Sequence, residues 1–323
     1  LSDSIETVRE NVHYVVDALR GHRLVIFLGA GANLCDRPDG AVWSSQQRDL
    51  PNGSELSNHL WHRFLARSPS LEIQASDELS RVAQAIALEL GPGLLKAELR
   101  EVLNLQSRIP SLHRLIASLP GRIAGQHSGA VSFRPLLVVS TNYDDLMERA
   151  LEENGKPFHT YTYEADKPGT FTYRSPEGKE KAIPPKPKLN DPLPGSQYPV
   201  LMKFHGGLHR SDRNRDSFVI TEDHYIEYLA TTTPPYVPLP ILHLLVSRHV
   251  LFLGHSLRDW NLRVILHQLW NGRPEFRSWA IQRDPKPLDR KFWDSKKVRI
   301  IDWPLAGYAE LIDEVLTEEG LGA

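Results

Sequence analysis

Four short clusters carry the residue types from which this chain could build a reaction site. The first is Gly29-Ala30-Gly31-Ala32-Asn33, at the end of the apolar run LVIFL. Glycines there let the backbone approach a phosphate closely, and the amides that follow can face an anion. A dinucleotide fingerprint would need a third glycine where Leu34 stands, and an acid about twenty residues on, at the end of a second strand. Asp49 has the distance but lies in the polar, turn-rich segment SSQQRDLPNGS. A strand-to-helix turn without a ligand is the competing reading.

The second cluster, Ser140-Thr141-Asn142-Tyr143-Asp144-Asp145, follows the run LLVVS. Its small polar residues can cap a helix, and its acids suit the first-turn dipole; the same groups can also hold a substrate. The third, Lys203-Phe204-His205-Gly206-Gly207, could present an imidazole over an open cleft, and histidine is the usual proton acceptor near neutral pH. A histidine in such a place is otherwise a hydrogen-bonded structural residue. In the fourth, Gly254-His255-Ser256-Leu257-Arg258-Asp259-Trp260-Asn261, the glycine permits close backbone approach. Ser256, Asp259 and Asn261 can bind hydroxyls or cap the next helix.

The elements that must position these clusters are continuous apolar runs: LVIFLG, LLVVST (136–141), VLMKFHG (200–206), VLFLGHS (250–256), SWAIQ (278–282) and VRIID (298–302). Runs of this kind, separated by helical patterns such as SIETVRENVHYVVDALRG, DDLMERALEEN and DWNLRVILHQLW, predict a doubly wound α/β fold. Its sheet is expected to be Rossmann-like and mostly parallel, with ligands collecting beyond the carboxyl ends of its strands. About a hundred residues between the first two strands read as several helices, too much chain for one crossover. They are expected to form a helical subdomain, 35–130, inserted at that edge. Residues 156–199 hold nine of the 24 prolines and the lysine-rich KEKAIPPKPK, and are expected to be a loop excursion without a long helix or central strand. A lid or partner-binding loop and a solvated excursion both remain open for it.

Composition bounds the function. The 323 residues carry 38 basic and 40 acidic side chains, a net charge of −2, so no overall field draws the chain to nucleic acid or to an anionic membrane. The most apolar late stretch, PILHLLVSRHVLFLG, is interrupted by His243, Arg248 and His249, and no transmembrane helix is expected. The start, LSDSIETVRE, has neither the basic nor the apolar region of a signal peptide. The single cysteine, Cys35, excludes an internal disulfide framework and a four-cysteine zinc site. A cytoplasmic protein is expected. The ending YAELIDEVLTEEGLGA reads as an amphipathic helix, and both an ordinary C-terminus and a continuation into a further domain fit it.

Taken in order, a Gly-Ala-Gly turn, a Thr-Asn-x-Asp segment, a His-Gly pair and a Gly-x-Ser turn, all at strand ends, resemble the NAD-binding core of the sirtuin superfamily. STNYDDLMERAL and LFLGHSLRDWNLR are closest to the sirtuin-like domains of bacterial antiphage defence proteins. The resemblance covers roughly residues 20–305 and implies one sirtuin-like domain over 1–323. It implies that Gly29, Ala30, Gly31, Ala32 and Asn33 line the pyrophosphate and ribose site, with Thr141 in the same cofactor site. Asn142 and Asp144 would lie beside the nicotinamide ribose and His205 would face ribose hydroxyls. Gly254 and Ser256 would meet the adenosine half, and Asp302 would lie near the adenine.

Departures from the pattern narrow the activity. Deacylating sirtuins usually carry a four-cysteine zinc that one cysteine cannot make, so no structural zinc or other metal is expected. Asn33 replaces a common serine, and the Asp-Phe-Arg portion of the cofactor loop is not evident in LCDRPDGAVW, where Asp36 or Arg37 could occupy related space. What the resemblance then implies is hydrolysis of NAD+, as substrate, to nicotinamide and ADP-ribose, with cyclic ADP-ribose as a minor product. Nicotinamide is a good leaving group, so the protein needs to hold the ribose, exclude the departed base and place a water. Asn142 is expected to position water or a ribose hydroxyl, Asp144 to orient Asn142 or stabilise positive charge, and His205 to accept a proton. The implied role is NAD depletion in antiphage defence, by a homo-oligomer under a sensor domain or partner protein. An NAD-dependent deacylase and a non-catalytic NAD or ADP-ribose sensor are the alternatives; a dehydrogenase is disfavoured by the missing glycine and acid.

Overall fold

In the computed structural model, which describes residues 2–46, 48–67, 71–103, 107–124, 135–184, 198–230, 237–270 and 274–322, the first apolar run becomes β1 (Leu24–Leu28), buried at every position. It is preceded by α1 (Ile5–Arg20), which Ser4 caps by accepting from the Thr7 amide. Val8, Val12, Val15, Val16 and Leu19 form its buried stripe. After a 3₁₀ turn at Ala30–Leu34 come α2 (Gly53–Leu60), a π-helical turn, α3 (Leu79–Leu90), α4 (Pro92–Leu103) and α5 (Ser111–Ala124). The chain then returns to the sheet as β2 (Leu137–Ser140), followed by α6 (Leu146–Glu153).

The second half continues as β3 (His159–Tyr163), β4 (Phe171–Arg174), β5 (Glu180–Ile183), β6 (Val200–Lys203), a small ribbon of β7 (Gly206–Gly207) with β8 (Ser217–Phe218), α7 (Glu222–Ala230) and α8 (Leu239–Val246). It ends as β9 (His249–Leu253), α9 (Trp260–Leu269), β10 (Ser278–Gln282), α10 (Pro287–Ser295), β11 (Val298–Asp302) and α11 (Leu305–Glu318).

Nine strands form one sheet in the order β11-β10-β9-β1-β2-β6-β3-β4-β5. The first seven are parallel to one another, and β4 and β5 are added at one edge in antiparallel pairings. This is the doubly wound, mostly parallel α/β architecture. Alternation along β1 feeds two cores: Leu24, Ile26 and Leu28 enter the one shared with α1, α5 and α11, and Val25 and Phe27 the one shared with α8 and α9. From β1 the strand order runs outward in both directions, which leaves a crevice at its carboxyl end.

Residues 156–199 differ from the expected loop excursion. Residues 159–163, 171–174 and 180–183 are strands, and β3 pairs in parallel with β6. Pro157, Pro168, Pro176 and Pro184 fall just outside these strands, where a missing amide costs no ladder bond. HTYTY and FTYR have the period of two and the aromatic and β-branched content of strands, signals that proline density obscured. The remaining lysine- and proline-rich part, 185–197, lies outside the described residues.

Candidate active site

The end of β1 is locked to the end of β9. The Gly29 amide donates to the Leu253 carbonyl at 3.0 Å and the Gly31 amide to the Gly254 carbonyl at 2.9 Å, while the Ala32 amide closes the turn on the Gly29 carbonyl. A Cβ on Gly31 would lie 2.8 Å from the Gly254 oxygen, and one on Gly254, whose φ is +73°, 2.0 Å from the Ala32 nitrogen. The glycines are therefore required by contact between two strand-end loops. The amides of Gly29, Gly31 and Ala32 face protein acceptors, which corrects the expectation that they point at an anion.

The 3₁₀ turn carries Asn33 towards the end of β2. Its Nδ2 donates to Asp144 Oδ2 at 2.7 Å, and its Oδ1 accepts from Asn142 Nδ2 at 3.3 Å. Asn142 Nδ2 also donates to the Gly29 carbonyl at 3.2 Å, and the Asn142 amide donates to Ser140 Oγ. Both donations fix the carboxamide of Asn142, a residue that lines the cleft. Asp144 Oδ1 accepts from the Leu146 amide, so this carboxylate also holds the start of α6. Beneath it Lys203 Nζ donates to the Asp144 carbonyl and lies 2.9 Å from Glu148 Oε1, an ion pair buried on both sides. Burial pushes the Glu148 carboxyl up, and the ammonium opposes that shift.

After β6 the chain turns through His205. Gly206 takes φ +73°, and a Cβ there would lie 2.2 Å from the Ser217 carbonyl oxygen; one on Gly207 would lie 2.6 Å from Lys203 Nζ. The two glycines thus close the β7–β8 ribbon and leave room for the buried ammonium. The His205 ring, 3 % exposed, stands edge-on to Tyr225 and Tyr228 on α7. Burial depresses its pKa to about 4, and among the described residues its Nε2 has no hydrogen-bond partner. At neutral pH it is an uncharged imidazole, with one ring nitrogen a donor and the other an acceptor.

These loops open onto a cleft of about 1320 Å³, room for a dinucleotide-sized ligand. Ala30, Gly31, Asn33, Thr141, Asn142, Asp144, His205, Gly254 and Ser256 line it. Gly29 and Ala32 lie behind the wall, as packing residues. Asp302 is also outside it: it accepts from the Asp284 amide at 2.9 Å and from Arg290 at 3.1 Å, which ties the β11 end to α10.

The sequence did not single out Tyr225 and His255, which line the cleft, or Glu55, which lies behind its wall. Tyr225 comes from a helix without a motif of its own; Tyr143, also in the cleft wall, donates its hydroxyl to the Val219 carbonyl at 2.6 Å. Glu55 takes a two-pronged ion pair from Arg37 and accepts from the amides of Trp43 and Asn52, pinning the loop that walls one side. Its Asn52-x-x-Glu55 capping box was the legible signal. Among the described residues no helix is long and apolar enough to cross a membrane, and no three His, Cys, Asp or Glu side chains gather where they could hold a metal ion.

The SIR2-like domain family matches residues 136–301, a little over half of the chain. The chain belongs to this family. Over 300 residues it is 22% identical to defense-associated sirtuin 2 of Bacillus subtilis, covering 91% of this chain and 24% of that protein. Over 256 residues it is 28% identical to the NAD(+) hydrolase ThsA of Acinetobacter baumannii, covering 79% of this chain and 41% of that one. The chain thus spans about a quarter and two fifths of the length of these relatives. A solved structure of a mutant Sir2 with a p53 peptide and NAD matches at 15% identity with a TM-score of 0.42, over 96% of this chain and 99% of that one.

Proposed function

We propose that this chain is an NAD+ glycohydrolase module, converting NAD+ and water to nicotinamide, ADP-ribose and a proton. The observation that carries this reading is the Asn142 carboxamide, held by Asn33 and Gly29 in the wall of a cleft that neutral His205 also lines. The names of two relatives, a defence-associated sirtuin and an NAD+ hydrolase, support it.

As the glycosidic bond lengthens, the ribose gains oxocarbenium character and the departing nicotinamide becomes neutral. An uncharged amide oxygen can orient the attacking water or a ribose hydroxyl without forming a competing covalent bond. A neutral imidazole adds no positive charge beside that cation, and its unprotonated nitrogen can accept a hydrogen bond. A group with so low a pKa is a weak base, so His205 acts more by orienting than by holding the proton that water releases. Asp144 acts through Asn33, fixing the face that Asn142 presents. In this reading NAD+ depletion serves antiphage defence, with homo-oligomerisation and a sensing segment or partner keeping the activity silent.

Chromatography of NAD+ incubated with the protein tests the assignment. Equimolar nicotinamide and ADP-ribose are expected, with loss of about 100-fold in rate for Asn142→Ala and for His205→Ala. Wild-type rates in both variants would overturn it. Nicotinamide released only with an acetylated peptide would indicate deacylation, and saturable binding without release would indicate a sensor.

A further inference from the structure

Behind the strand ends that carry Asn142 and His205 lies a buried ion pair that the reaction above leaves unused. β2 and β6 end side by side, with Ser140 in register with Lys203. Their last ladder bond runs from the Phe204 amide to the Ser140 carbonyl at 2.9 Å. Beyond it one chain continues to Asn142 and the other to His205. The next backbone bond between them, from the Leu208 amide to the Tyr143 carbonyl at 2.8 Å, closes only after His205 has been passed. Between those two bonds the tie is the Lys203 side chain.

Lys203 is 2 % exposed, and alternation along β6 puts it on the face of Leu201, which α6 covers. Its Nζ donates to the Asp144 carbonyl and, at 2.9 Å, to Glu148 Oε1. The Asp144 carboxylate accepts from Asn33, and Asn33 accepts from Asn142. The ammonium therefore links the Asn142 side of the site to the strand end that carries His205 two residues on. Neither Lys203 nor Glu148 is among the residues that line the cleft.

Packing alone does not call for this pair. A cation at the start of a helix opposes the helix dipole, and apolar residues of similar volume often replace a buried ion pair without loss of stability. Leu146, Leu151 and Leu201 already fill this core. What an apolar pair could not do is donate to the Asp144 carbonyl. Gly207 keeps the space for that donation: a Cβ there would lie 2.6 Å from Lys203 Nζ and 2.7 Å from its Cε.

We propose that Lys203 is a positioning residue of the reaction, which sets the separation of Asn142 and His205 by holding the Asp144 carbonyl, with Glu148 balancing its charge. The inference rests on the NAD+ hydrolase reading above.

The test compares melting temperature with kcat and KM for NAD+ in wild type and three variants. Lys203→Met/Glu148→Leu should melt near wild type yet lose about 10- to 100-fold in kcat, with KM within about threefold, because misplacement rather than lost binding is at fault. Glu148→Gln leaves a buried cation without its counter-charge but keeps an acceptor for Nζ, so it should melt lower than the double variant and turn over faster. That reversed order is the signature of positioning, since a purely structural role makes turnover follow stability. Gly207→Ala keeps both charges while pushing the ammonium aside, and should reproduce the fall in kcat even where Glu148→Gln does not fold. Wild-type kcat in the double variant or in Gly207→Ala, or turnover that tracks melting temperature across the variants, overturns the proposal and leaves NAD+ hydrolysis standing. Wild-type protein that releases no nicotinamide overturns both.

Discussion

Asn33 donates to Asp144 at 2.7 Å across 111 residues of sequence, and so joins the turn after β1 to the start of α6. The same side chain accepts from Asn142, which makes it the hinge pin of the site. An aspartate at this position would put two carboxylates in contact. Asn33→Asp should therefore lose more stability than Asn33→Ala, while Asn33→Ala should lower the NAD+ turnover number about tenfold with little change in melting temperature. Parallel melting curves and single-turnover rates check this; equal behaviour of the two variants would refute the pinning role.

Gly254 is predicted to be intolerant of any side chain. Gly254→Ala adds a Cβ 2.0 Å from a backbone nitrogen at φ +73°, so a loss above about 4 kcal/mol, or failure to fold, is expected. Gly40→Ala is the control: its φ is +75° but no atom lies within 4 Å of the new Cβ, so only the backbone penalty of about 1 kcal/mol should appear. Urea midpoints of the two variants separate steric contact from conformational preference.

The Lys203–Glu148 pair is buried on both sides. Lys203→Met leaves a buried carboxylate without its cation and should cost about 3–5 kcal/mol; adding Glu148→Leu should return much of that loss. A double-mutant cycle in urea measures the coupling, and simple additivity would count against it.

Stability should fall in mild acid. Burial holds His113, His205 and His255 at about 4, against about 6.5 in an unfolded chain. Below about pH 6.5 the unfolded state takes up protons that the folded state refuses, so stability declines until the folded rings protonate near 4. Each ring contributes up to about 3 kcal/mol to the decline. His113→Leu should reduce the proton uptake on unfolding by about one across this window, read from urea unfolding at stepped pH. An unchanged slope would show that His113 titrates alike in both states.

Much of the fold was legible because strands of a parallel sheet are covered on both faces and so read as continuous apolar runs. LVIFL, LVVS, VLMK, HVLFL, SWAIQ and VRIID all appear as such. Strands β3 to β5 were not read because prolines bracket them and because polar residues alternate with aromatic ones in β3 and β4. The helices between β1 and β2 showed their apolar spacing, but not that Glu55 would fasten the cleft wall through Arg37.

The sequence alone determined the order of the site: glycine turn, Asn142, His205 and Gly254, each placed after a strand, because strand ends and tight turns are local properties of residue type. Tertiary structure decided what those residues face. Gly29 and Ala32 lie behind the cleft wall, Asp302 is tied to Arg290, and the glycine amides are spent on the β9 loop, because each depends on a partner distant in sequence. His255 entered the cleft for the same reason: only when β9 lies beside β1 does the gap at Gly29 meet the ring that fills it.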